Sequence, residues 1–64
     1  MAIINGEKTD ASGKSIRTYL SEAGYALDRV VVERNMEILS PEVWEDTVIE
    51  EQDSIEILNF VGGG

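Results

Sequence analysis

The chain closes on Phe60–Val61–Gly62–Gly63–Gly64, and its residue types point to chemistry most directly there. Three residues without side chains make a thin thread, able to enter a narrow tunnel in another protein. The four residues from Val61 extend about 13 Å at roughly 3.3 Å each. The thread presents a carboxylate, a poor electrophile because it lacks a leaving group. An ATP-dependent partner would convert it to an acyl-adenylate, and attack by sulfide or a persulfide would then give a thiocarboxylate. The carrier needs no cysteine for this, and the chain has none. The triplet also has plainer readings. Chain ends fray, glycines most of all, and an expression vector can leave the same tail.

Other residues offer less. Ser12–Gly13–Lys14–Ser15 ends like a phosphate-binding loop, but the glycine that pattern requires five positions before Gly13 is Lys8. A turn leading into a capped helix explains the same residues. The carboxylate pairs Glu45–Asp46 and Glu50–Glu51 read as a solvated acidic face, since acid–base work needs a cleft that tunes a pKa. The chain has no histidine or cysteine, which removes imidazole bases, thiol nucleophiles and Cys/His zinc sites. No catalytic residue and no metal ligand is expected, and Trp44 reads as packing at the sheet edge.

Thirteen acids stand against five bases, a net charge of −8. Up to Arg34 the two signs balance. From Asn35 onward come Glu37, Glu42, Glu45, Asp46, Glu50, Glu51, Asp53 and Glu56, with no base. Nucleic acid and anionic membranes would repel that half, whereas a basic protein partner would be drawn to it. The longest apolar run is Val30–Val31–Val32, too short for a membrane span. A soluble, cytoplasmic protein is expected.

These residues need a scaffold, and 64 residues allow one small domain. Asn5–Gly6 predicts a hairpin pairing Ala2–Ile4 with Glu7–Asp10. Ile16, Tyr19, Leu20 and Ala23 form one apolar stripe on a helix over 16–23, capped by Ser15 and stopped by Gly24, with Tyr25 packing back. Val30–Arg34 is a β-branched strand, and Glu37–Leu39 returns after a turn at Asn35–Met36. Ser40–Pro41 starts a short helical turn. Ser54–Val61 is the clearest strand, with Ile55, Ile57, Phe60 and Val61 expected inside. The first and last strands are the natural central neighbours. A two-turn helix does not persist alone, so it must lie across one sheet face, an α+β arrangement.

Taken together, these pieces resemble the ThiS family, the ubiquitin-like sulfur-carrier proteins of thiamine biosynthesis. The resemblance runs over nearly the whole chain. It rests on Asn5–Gly6–Glu7, Gly13 and Ser15–Ile16 with Leu20, Arg29–Glu33, Asn35, Glu37–Ile38, Trp44, Thr47–Val48, Asp53, Ile55–Ile57 and Phe60–Gly64. It implies a β-grasp fold: a mixed sheet of four to five strands on one helix, spanning 1–61, followed by a flexible glycine tail at 62–64. It further implies a protein co-substrate rather than an enzyme, with no bound cofactor. An E1-like adenylyltransferase of the ThiF type would activate Gly64 with ATP. A cysteine desulfurase or other persulfide donor would convert it to a thiocarboxylate, and a ThiG-type thiazole synthase would take the sulfur. Gly62, Gly63 and Gly64 form the conjugation tail, and Gly64 carries the sulfur. The alternatives are the small subunit of molybdopterin synthase, which shares the tail chemistry, and a non-covalent ubiquitin-like module with an inert tail.

Three positions depart from the family pattern. Met36 replaces a turn glycine, Glu51–Gln52–Asp53 replaces Asp–Gly–Asp, and Ser40–Pro41 replaces Pro–Arg. Met and Gln resist positive φ, so the first two predict altered turns. The third removes an arginine from a loop that faces partners.

Overall fold

A computed structural model describes residues 1–60. Strands β1 (Ala2–Ile4) and β2 (Glu7–Thr9) form the first hairpin, and α1 (Ile16–Glu22) follows. A 3-10 turn at Leu27–Arg29 leads into β3 (Val30–Arg34) and β4 (Glu37–Leu39). A second turn, Pro41–Val43, and a loop lead to β5 (Ser54–Asn59). The five strands lie in the order β2-β1-β5-β3-β4. β5 runs parallel to β1 and antiparallel to β3, so the sheet is mixed and its last strand is its centre. With α1 across one face, this is the β-grasp arrangement that the resemblance implies.

Local chemistry accounts for the element ends. The Asn5–Gly6 turn has positive φ at both residues (52° and 84°), matching the twist of a two-residue hairpin. The Ser15 hydroxyl accepts from the Thr18 N–H at 3.1 Å and caps α1. At the other end Gly24 takes φ +88°. Its N–H donates to the Ser21 carbonyl and that of Tyr25 donates to Leu20, the paired closure of a left-handed helix stop. Ser40 caps the second 3-10 turn, with Pro41 at its first position.

Alternation puts Ala2, Ile4, Val30, Val32, Ile55 and Ile57 on the face that α1 covers with Ile16 and Leu20. Ile49, Ala11 and Trp44 complete this core. Trp44 is 3% exposed, and its indole N–H donates to the Leu39 carbonyl at 3.1 Å. Two expectations need correction. Ala23, expected on the buried stripe, is exposed: α1 ends at Glu22 and Ala23 is its C-cap. Phe60, expected inside, is 60% exposed because its place in the alternation falls with Glu56 and Leu58 on the uncovered face.

The two turn departures also resolve differently from expectation. Asn35 and Met36 have φ 51° and 72°, and Gln52 has φ 74°. The backbone keeps left-handed turns without the glycines that would relieve them, at a cost of about 1–2 kcal/mol per residue. The surrounding contacts hold them. The Asn35 N–H donates to the Ser54 carbonyl at 2.7 Å, and the Ser54 N–H donates to the Asn35 side-chain oxygen at 2.9 Å.

Candidate functional site

The far end of β5 is where the fold delivers the chain to its glycine tail. Its register with β3 is continuous from Arg34↔Ile55 to Val30↔Asn59, and the Phe60 N–H still donates to the Arg29 carbonyl at 2.7 Å. The strand is therefore anchored up to the last described residue. Val61 and the tail residues Gly62, Gly63 and Gly64 lie outside the described residues.

The near end of β5 is fastened by a polar cluster around Asp53, which is 6% exposed. Its carboxylate accepts from Arg34 Nε at 3.0 Å, Asn35 Nδ2 at 3.1 Å and the Glu50 N–H at 2.9 Å. Burial alone would raise this carboxyl's pKa. The hydrogen bonds from Glu50, Asn35 and Arg34, with the guanidinium charge, outweigh it and hold the pKa below the ordinary 3.8. The cluster ties the turn after β3 to the loop before β5, which fixes where β5 begins.

The sheet face away from α1 carries the other candidate surface. Ile38 is 69% exposed, Leu58 49% and Ile3 39%, with Phe60 beyond them along β5. Val31 stands opposite Leu58, and Glu33 stands opposite both Glu56 and Ile38. This face presents exposed apolar groups, with two glutamates among them, up to Phe60 at the end of β5. Sequence reasoning passed over it. The period-2 alternation carried the signal, since residues flanking each buried strand position must face the other way.

The remaining candidates fall into structural roles. Amides within and just after the Ser12–Ser15 motif are engaged inside the fold: Gly13 donates to Ile49, Lys14 to Ala11, Ile16 to Thr47 and Arg17 to Trp44, so they do not form a phosphate cradle. Glu45 and Glu50 are exposed and pair with Arg17 and Arg34. Among the described residues no group of three or more metal-ligating side chains comes together, and no helix is long and apolar enough to cross a membrane. Ser40–Pro41, the third departure, is an exposed cap and helical turn. The described residues of the site offer an exposed apolar face and an anchored strand.

Comparison with known proteins agrees with this geometry. The family model described as the ThiS family matches residues 2–64. A thiazole synthase of Magnetococcus marinus is 37% identical over 62 residues, covering 95% of this chain. The chain spans only 19% of that relative's length. The sulfur carrier protein ThiS of Bacillus subtilis is 46% identical over 44 residues, covering 66% of this chain and 67% of the relative. Among solved structures, the crystal structure of the thiamine biosynthesis protein (ThiS) of Geobacter metallireducens superposes with a TM-score of 0.77 at 31% identity. It covers 98% of this chain and 97% of that one.

Proposed function

The chain belongs to the ThiS family, and from that premise we propose that it is a sulfur carrier of thiamine biosynthesis, a protein co-substrate whose Gly64 carboxylate bears the sulfur. The observation that carries this reading is the family match extending through residue 64, so that it includes Gly62, Gly63 and Gly64. The anchoring of β5 up to Phe60 supports it, because a carrier must present its tail from a fixed point.

In the proposed cycle, an E1-like adenylyltransferase joins the Gly64 carboxylate to the α-phosphorus of ATP and pyrophosphate leaves. The resulting acyl-adenylate has the leaving group that the carboxylate lacked. A persulfide from a cysteine desulfurase or another donor attacks the carbonyl carbon and AMP departs. A thiol then opens the acyl disulfide, forming a disulfide with the donor sulfur and releasing the thiocarboxylate. The carrier supplies geometry and no acid–base group. The acceptor is a thiazole synthase. In the Magnetococcus relative, named for that activity, a segment like this chain shares one polypeptide with the remaining four-fifths.

The test is incubation with ATP, a ThiF-type adenylyltransferase and a sulfur donor, followed by intact-mass spectrometry. The expected product gains the mass difference of sulfur for one oxygen. An unchanged mass, under conditions that convert a known carrier, would leave the non-covalent module as the better reading.

A further inference from the structure

β5 outruns its neighbour on one side. β1 pairs with it only at Ile3↔Ser54 and Ile4↔Ile55. The next backbone donor on that side, the Ile57 N–H, is taken by the Asn5 side-chain oxygen at 2.7 Å, which closes the ladder. On the other side the Phe60 N–H donates to Arg29. Strand alternation therefore turns the N–H and C=O of Asn59, and the Ile57 carbonyl, toward the space beyond Asn5. Among the described residues these three groups have no hydrogen-bond partner, and Asn59 is exposed. The outer edges of the sheet differ. β2 and β4 are three residues long and carry Glu7, Lys8 and Glu37, the short charged form that discourages pairing. The open stretch of β5 instead belongs to the central strand, beside the exposed Leu58 and Phe60 and next to the tail.

We propose that this notch at Ile57–Asn59 accepts an extended segment of a protein partner, which adds to the sheet as a sixth strand beside β5. Unpaired backbone donors and acceptors at strand spacing are matched by another strand. The net charge of −8, carried by the half of the sequence that holds β5, draws a basic segment. The added strand would hold the end of β5 against the partner while the tail is inserted. The identity of the partner rests on the sulfur-carrier reading; the notch itself does not.

Hydrogen exchange of the Asn59 amide is the primary readout, measured alone and after adding a ThiF-type adenylyltransferase or, separately, a ThiG-type thiazole synthase. The amide is expected to exchange fast in the free protein and to slow at least tenfold with one of these partners. Asn59→Pro removes the N–H on the open side and spares the bonds to β3. It is expected to weaken binding roughly tenfold, the size of one backbone hydrogen bond, while Asn59→Ala binds as the parent does. Unchanged exchange with both partners would overturn the proposal, as would equal losses for the two variants. Protection that appears in the free protein as its concentration rises would also overturn it, since the notch would then pair with a second copy. Intact mass, recorded on the same samples, separates the two readings. Conversion without protection sinks the notch alone, and protection without conversion sinks the sulfur-carrier reading alone.

Discussion

The two ends of β5 are built on opposite terms. At the near end, Asp53 gathers three donors from Arg34, Asn35 and Glu50, and three non-glycine residues are held in left-handed backbone around it. At the far end, Leu58 and Phe60 face outward, and among the described residues no strand pairs with the β5 backbone beyond Asn5 on the β1 side. One end is over-determined and stores strain that its contacts keep in place. The other is anchored, among the described residues, on the β3 side alone, and its outward apolar and polar groups are open to a partner. A strand that must hand its continuation to a partner needs this division: rigidity upstream, available surface downstream.

Four changes break or sharpen that contrast. Deleting Gly64 has the largest expected effect, complete loss of conversion in the mass assay. The fold should be retained, because the buried core of the described residues ends at Ile57, and an unaltered amide spectrum would check this. Asp53→Asn should destabilise the protein by about 1.5–3 kcal/mol in chemical denaturation, the range for hydrogen bonds to a charged group. Its pH dependence carries a sign. The folded-state pKa of Asp53 lies below 3.8, so its contribution is present above that value and is lost as pH falls through the folded pKa. The parent should therefore lose its margin over Asp53→Asn in acid; a margin that is constant down to pH 2 would contradict the role assigned to the carboxylate.

Leu58→Asp should do the reverse of Asp53→Asn. Stability should stay within about 0.5 kcal/mol, because the side chain is exposed, while KM for the carrier in the adenylation assay rises roughly tenfold (about 1.4 kcal/mol). The smallest effect belongs to Met36→Gly. It relieves a left-handed residue and adds freedom to the unfolded chain, for a net gain of about 0.5–1 kcal/mol. A raised melting temperature with unchanged conversion would place this strain in the scaffold; a fall in conversion would tie the turn to function.

Much of this division was legible in the sequence. Asn5–Gly6, Ser15 with Gly24, and Ser40–Pro41 each carry a local conformational requirement, and each element they bound formed where that requirement placed it. The central pairing of the first and last strands followed from their apolar content. Three features were not legible, for physical reasons. Phe60 looked buried because its hydrophobicity was read without its parity, and parity places it with Glu56. Met36 and Gln52 keep left-handed turns because the adjoining Asn35 binds Asp53 and Ser54 across sequence separations of 18 and 19 residues, which no local rule sees. The open face was not legible because Ile3, Ile38 and Leu58 lie far apart in sequence and fall on one sheet face only once the strand order and register are known. For the site itself, the glycine triplet was visible from composition, whereas the surface leading to it required the sheet.

The most direct test of the central claim is fragment-ion mass spectrometry on the protein after reaction with ATP, adenylyltransferase and sulfur donor. Sulfur is expected only in fragments that contain Gly64, replacing one carboxylate oxygen. Sulfur found elsewhere on the chain, or none on Gly64 while a known carrier in the same mixture is converted, would contradict it.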